Sequence, residues 1–258
     1  FKGEEPGAMI AVYDWFGYAV PIETRYRLIK GGGFDGVLMW WSGGFGRGDY
    51  RSGPELARKA GLMIENIHCP IQQEHDLWKD TLDGETVLEC YLRCIADCVR
   101  FQIPTMVVHL PGDDCPCTLL GLDRLQRIAE KAEHAGVNVA LENLQNIRNL
   151  SLALDTVDSP RVGFCYDCCH HVNYCPETEL PARFGSRLMA VHLHDNGGSR
   201  AQHQLPFDGH ICWPEMMNRI SQTGYRGMIA LEPMNWDYQN LSIEEFLRRA
   251  AQKARALQ

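Results

Sequence analysis

Eight short apolar runs, each followed by an amphipathic segment, constrain this chain more than any other feature of its sequence. The runs lie at 8–15 (AMIAVYDW), 35–41 (DGVLMWW), 62–70 (LMIENIHCP), 105–112 (TMVVHLPG), 137–144 (VNVALENL), 162–171 (VGFCYDCCHH), 188–196 (LMAVHLHDN) and 226–233 (RGMIALEP). Between them stand patterns of helical period, such as 22–33, 85–103, 122–136 and 244–258. Glycine closes several of these, as in KGGGF, EHAGVN and SQTGYRG, which fits a helix C-cap feeding the next strand. An unbroken alternation of apolar strand and amphipathic helix implies a parallel sheet covered on both faces. Over 258 residues the units average about 32 residues each, the size of a βαβ step. Eight such units closing on themselves predict an α/β chain folded as a (β/α)8 barrel, one domain over 1–258. The rival is an open doubly wound sheet, which would carry a Gly-rich phosphate loop after an early strand. Neither GxGxxG nor GxxxxGK[ST] is present, and GGFGRG at 43–48 has glycines without a helix opening behind it.

Charge and cysteine usage narrow the partners. Lys plus Arg total 25 against 33 for Asp plus Glu, a formal net charge of −8. Proteins that grip a phosphate backbone draw most of their affinity from a basic surface, so this balance disfavours nucleic acid. No run of about 18 apolar residues exists, which excludes a membrane helix, and the start, FKGEEPGAM, has no signal-peptide character. The eleven cysteines lack zinc-ribbon spacing, and Cys90, Cys94 and Cys98 recur as a helix stripe suited to burial. A reduced, cytoplasmic protein is expected, a homo-oligomer being compatible with everything read so far.

In a barrel the chemistry gathers where the strands end. Those ends read His68, His109, Glu142, Asp167, His192 and Glu232, at intervals of 41, 33, 25, 25 and 40 residues. Any one of them has an ordinary reading as a polar residue bonded to a loop. Six in succession are harder to explain so, because carboxylates crowded into one mouth repel unless a cation neutralises them. Mixed Asp, Glu and His donors suit one or two ions of Mn²⁺, Zn²⁺, Co²⁺, Fe²⁺ or Mg²⁺ better than Ca²⁺. His192 and His194 sit two apart on one strand, and spacing does not choose between them. Trp40 and Trp41 end the second run; one covers a substrate face or both pack in the core. Asp195 and Asn196 orient His192 or cap the following turn. His210 is expected to bond within its loop, and Asp208 and Glu215 to be solvated.

The pieces NIHCP, VVHLPG, ALENL, the D-x-x-H of Asp167 and His170, VHLHDN and GYRGMIALEP, in this order, resemble the xylose isomerase-like barrel superfamily. That group holds sugar isomerases, epimerases and apurinic-site endonucleases, and the resemblance runs from the third strand to the C-terminus. It implies one metal held by Glu142, Asp167, His192 and Glu232. It implies a second metal near His68 and His109, with Glu142 bridging and His203 as a further candidate. The endonuclease pattern asks for an Asp two residues before His203; Ala201 stands there, so a trinuclear centre lacks a ligand. Some epimerases carry a substrate Arg soon after the metal His; Gly197 and Gly198 occupy that stretch, with Arg200 close by.

Three readings follow. The first is a metal-dependent sugar, or polyol-derived ketose, isomerase or epimerase in carbohydrate metabolism. It removes a proton beside a metal-polarised carbonyl through an enediolate, with Glu142 and Glu232 as the acid–base pair. His68, His170, Trp40 and Arg200 would contact the small-molecule substrate. The second is a zinc-dependent apurinic-site phosphodiesterase. The third, a non-catalytic barrel, is disfavoured by the retained carboxylates.

Overall fold

The computed structural model describes residues 7–43, 48–71, 74–145, 147–198 and 202–258. Each apolar run contains one strand: β1 (Ile10–Tyr13), β2 (Gly36–Trp40), β3 (Met63–His68), β4 (Thr105–Val108), β5 (Asn138–Glu142), β6 (Val162–Asp167), β7 (Leu188–His192) and β8 (Ile229–Leu231). They form one parallel sheet in the order β7-β6-β5-β4-β3-β2-β1-β8. Between and after them lie α1 (Ile22–Gly31), α2 (Gly53–Lys59), α3 (Leu82–Phe101), α4 (Leu119–Ala135), α5 (Ile147–Thr156), α6 (Cys168–Tyr174), α7 (Leu180–Phe184), α8 (Trp213–Gln222) and α9 (Ile243–Arg255). The fold is the expected (β/α)8 barrel.

Local chemistry sets the helix limits. Thr81 Oγ1 accepts from Gly84 N–H to start α3, and Thr118 Oγ1 accepts from Gly121 N–H to start α4, two N-caps of the kind worth about 1 kcal/mol. Helix α4 ends at Gly136 with φ 68°, where a side chain would be strained. On α4, Leu125, Ile128, Ala129 and Ala132 form the buried stripe. Cys94 and Cys98 are buried on α3 as expected, with Cys90 half-buried, and all eleven cysteines are free.

The barrel closes at the seam between β7 and β8 just beyond the named strands. Leu193 N–H donates to Ala230 O at 2.9 Å, and Glu232 N–H donates to Leu193 O at 3.0 Å. Outside that seam a largely apolar crevice of about 540 Å³ separates α8 from the end of α9, with Val191, Leu193, Met217 and Leu257 among its walls. Inside, strand alternation sorts the inward side chains into layers. Val107, Ala140, Cys165 and Ala190 pack together as one small-residue layer. One step higher, on β5, β6 and β7, stand Glu142, Asp167 and His192.

Asp195 settles the sequence alternatives for its loop. Its carboxylate accepts from the N–H groups of Asn196, Phe207 and Ile211 and from Trp213 Nε1 at 2.7–3.1 Å, so it caps the following loop and does not orient His192. Asp208 is exposed, as expected, and is also partnered. It accepts from Tyr238 Oη at 2.7 Å and Lys253 Nζ at 2.5 Å, because α9 brings a lysine against a loop that sequence separation hid. Among the described residues no helix is long and apolar enough to cross a membrane.

Candidate functional site

The six strand-end residues converge. Glu142, 1% exposed, is the hub. Its Oε2 lies 3.1 Å from His109 Nε2, 3.4 Å from His68 Nε2 and 3.2 Å from His192 Nδ1, while Oε1 lies 3.3 Å from His170 Nδ1. His68 and His109 also share a hydrogen bond between their Nε2 atoms at 3.2 Å. Burial works to raise the Glu142 carboxyl, but the imidazoles of His192 and His109 hold it well below the usual carboxylate range. Asp167, wholly buried, caps α6 by accepting from His170 N–H at 2.7 Å and takes a second bond from His194 Nε2 at 3.0 Å. Asn143 fixes that strand end from the side, donating to Asp167 O and accepting from Asp167 N–H. His170, opposed by burial but beside Asp167 and Glu142, is raised to about 10.

Asp167, Glu142, His192 and Glu232 form a chain of neighbours: Asp167 and Glu142 have donors within 4.8 Å, and His192 Nδ1 lies 3.2 Å from Glu142 and 3.9 Å from Glu232 Oε2. His192 Nδ1 is buried and makes no hydrogen bond, although two carboxylates flank it. An unpartnered imidazole nitrogen in such a place is unfavourable by itself. A divalent cation drawing on these donors relieves it, so the donor set fits the metal that the resemblance implies. His194 takes a different place: its Nε2 serves Asp167, and its ring stacks on His203 at 4.0 Å between centroids.

His68 and His109 group with Glu142, as the second-metal set requires, whereas His203 joins a separate group with His194 and Glu232. His203 Nδ1–H donates to Glu232 O at 2.8 Å, and burial together with His194 pushes its ring down to about 4. Arg200 lies outside the described residues.

A cavity of about 290 Å³ opens over the carboxylates, near the small end for ligand sites. His68, His109, His170, His203, Glu142 and Glu232 line one side. The other side is Trp40, expected as a substrate contact, with Tyr13, Trp15, Ile71 and Met234, four residues the sequence did not single out because aromatic and aliphatic side chains there look like core. Trp40 Nε1 is buried without an acceptor. Trp41 goes the other way into packing against Tyr50 and Phe101, its Nε1 donating to Asp97 at 2.9 Å. Behind the aromatic side, Asp14 substitutes for a backbone acceptor: its Oδ1 accepts from Trp40 N–H at 2.9 Å and its Oδ2 from Tyr26 Oη at 2.9 Å. The Asp14 carbonyl instead accepts from buried Arg25 at 2.5 Å, and the next residue, Trp15, lines the cavity.

A family model described as a xylose isomerase-like TIM barrel matches residues 27–255. The chain belongs to that family. Among curated relatives, an uncharacterized protein of Methanocaldococcus jannaschii is 30% identical over 188 residues, 66% of this chain and 64% of the relative. Fructoselysine 3-epimerase of Escherichia coli O157:H7 is 28% identical over 144 residues, 52% of each. Across the curated relatives the match spans 39–64% of their length. Solved structures with the same fold include a D-tagatose 3-epimerase-like protein, with TM-score 0.75 and 18% identity over 95% of this chain and 96% of that one. D-psicose 3-epimerase from Clostridium cellulolyticum H10 superposes with TM-score 0.76 and 17% identity, at the same coverage.

Proposed function

We propose that the chain is a cytoplasmic, single-domain, divalent-metal-dependent isomerase or epimerase of a sugar or polyol-derived ketose. The observation that carries this reading is the buried His192 Nδ1, without a hydrogen bond, beside Glu142 and Glu232, the two carboxylates that line a cavity of about 290 Å³. Glu142, Asp167, His192 and Glu232 would hold the ion, which supplies positive charge where an oxyanion develops during proton removal. The relatives named as sugar 3-epimerases support the same class.

The two glutamates then differ in duty. Glu142 is pinned among four imidazoles, which would relay the proton it returns. Glu232 has its nearest imidazole nitrogens at 3.8 and 3.9 Å, so its carboxylate is freer to take a proton from carbon, the opposite-face return that epimerisation needs falling to Glu142. His68 and His170 face substrate hydroxyls from the same wall, and Trp40 offers its ring face and its unpartnered N–H.

The test is incubation of metal-loaded protein with a panel of free ketoses, aldoses and inososes in D₂O. Deuterium entering the carbon beside the carbonyl, and ceasing in Glu232→Gln, is the expected result; no exchange across the panel overturns the reading. The His68–His109–Glu142 group favours one second reading, zinc-dependent cleavage of phosphodiesters. Nicking of an abasic-site duplex, lost in the same variant, would establish that reading instead.

A further inference from the structure

Cys165 lies below the carboxylates and has no part in the mechanism above. It sits on β6 two residues before Asp167, so it faces the same interior one layer deeper. It pairs in register with Glu142 on one side and Ala190 on the other. Its side chain is 0% exposed. Its Sγ, a Glu142 carboxylate oxygen and a His192 ring nitrogen all lie within 4.8 Å of one another. Among the described residues this is the one group of three potential donors that includes a thiol. Ala140 and Ala190 are its small neighbours in the same layer.

We infer that Cys165 gives the barrel mouth a second, deeper coordination mode, in which a thiophilic divalent cation such as Zn²⁺ or Cd²⁺ is held by Glu142, Cys165 and His192. The inference rests on reading the mouth as a cation site. Zinc bonds of about 2.3 Å to sulfur and 2.0–2.2 Å to nitrogen and oxygen place tetrahedral donors roughly 3.5 Å apart. His192 Nδ1 and Glu142 Oε2 already stand 3.2 Å apart, and the sulfur, within 4.8 Å of a donor atom of each, needs to close by no more than about an ångström. Soft thiolate selects Zn²⁺ and its heavier congener, whereas carboxylate and imidazole alone hold Mn²⁺ or Mg²⁺. As the sulfur–metal bond forms, the S–H proton leaves to solvent. The deeper set omits Glu232, so an ion drawn into it leaves the carboxylate assigned to proton transfer. Thiophilic ions are then inhibitors of a chemistry that Mn²⁺ supports.

The experiment uses the whole, metal-stripped chain. Cd²⁺ is titrated while the ultraviolet thiolate-to-cadmium charge-transfer band is recorded, and Mn²⁺ binding is followed by electron paramagnetic resonance on the same preparations. The ten other thiols contribute a background, so the quantity read is the component, one equivalent per chain, lost on substitution. It should vanish in Cys165→Ser and in His192→Gln, while Mn²⁺ affinity in Cys165→Ser stays within about twofold of wild type. A cadmium spectrum of Cys165→Ser identical to wild type overturns the inference and leaves the Mn²⁺ site standing. Wild-type protein that binds no Mn²⁺ overturns the cation site itself. Should Cys165→Ser not fold, Cys165→Ala removes the same donor without adding a hydroxyl to the interior.

Discussion

The two sides of the barrel mouth are built on opposite principles. From β3 round to β8 the strand ends present imidazoles and carboxylates that bond one another directly, with Glu142 touching four rings. On β1 and β2 the side chains toward the cavity are Tyr13, Trp15 and Trp40, and the hydrogen bonds lie behind them, in Asp14, Tyr26 and Arg25. One side, the proposed reactive surface, is polar, its imidazoles and carboxylates in contact with one another. The other is a shaped surface held from behind. The difference teaches that chemistry and recognition are separable here, so substitutions on the two sides should move different kinetic constants.

The largest effect belongs to the reactive side. Glu232→Gln should lower kcat by about 10²–10⁴-fold while leaving KM nearly unchanged, as steady-state kinetics on the substrate found in the panel would show. A comparable loss through KM alone would break the contrast. On the shaped side, Trp40→Ala should raise KM roughly tenfold at constant kcat, the size of one lost ring contact. A smaller effect is expected one layer back. Tyr26→Phe deletes the bond to Asp14 Oδ2, which should lower stability by about 1 kcal/mol and the melting temperature by about 2–4 °C. If Asp14 positions Trp40, the same variant raises KM severalfold with kcat intact; a melting shift alone would leave the wall independent of its backing.

The smallest effect sharpens the contrast within one helix. His170 and His171 adjoin on α6 and titrate in opposite senses. His171 is neutral: one ring nitrogen donates to Thr178 O at 2.6 Å and the other accepts from Tyr166 Oη at 2.7 Å. Burial holds its pKa below the ordinary value. Its contribution to stability is therefore full above about pH 6.5, the unfolded value, and is lost as pH falls below that. His170, raised to about 10, contributes fully below about pH 6.5 and loses that contribution as pH rises through about 10. In metal-stripped protein, His171→Gln should flatten the acid limb of a melting-temperature profile and His170→Asn the alkaline limb.

The reactive side was legible in the sequence and the shaped side, Trp40 apart, was not, for a physical reason. A carboxylate or imidazole at the end of an apolar strand has no packing explanation, so His68, His109, Glu142, Asp167, His192 and Glu232 stood out and did converge. Tyr13 and Trp15 end a strand just as core aromatics do, and it is their place in the cavity lining that makes them a wall. Cys165 was hidden for a similar cause, since a buried cysteine ordinarily behaves as a small hydrophobe. His203 belongs to a loop without period, so nothing in its spacing could place it beside His194 and Glu232. The barrel itself was readable because period-two and period-3.6 patterns alternated without interruption, and each run held its strand with ends trimmed by a few residues.

The closing seam carries one more consequence. Strands β7 and β8 meet through the two amides of Leu193 and Glu232, with an open crevice outside them. Fraying at this place would be local, because neighbouring ladders run over three or more registered pairs on the far flanks of both strands. Those two amides should therefore exchange with solvent ahead of the rest of the sheet. Because Glu232 is itself half of the clasp, its protection factor reports how long the carboxylate proposed for proton transfer keeps its distance from the other five.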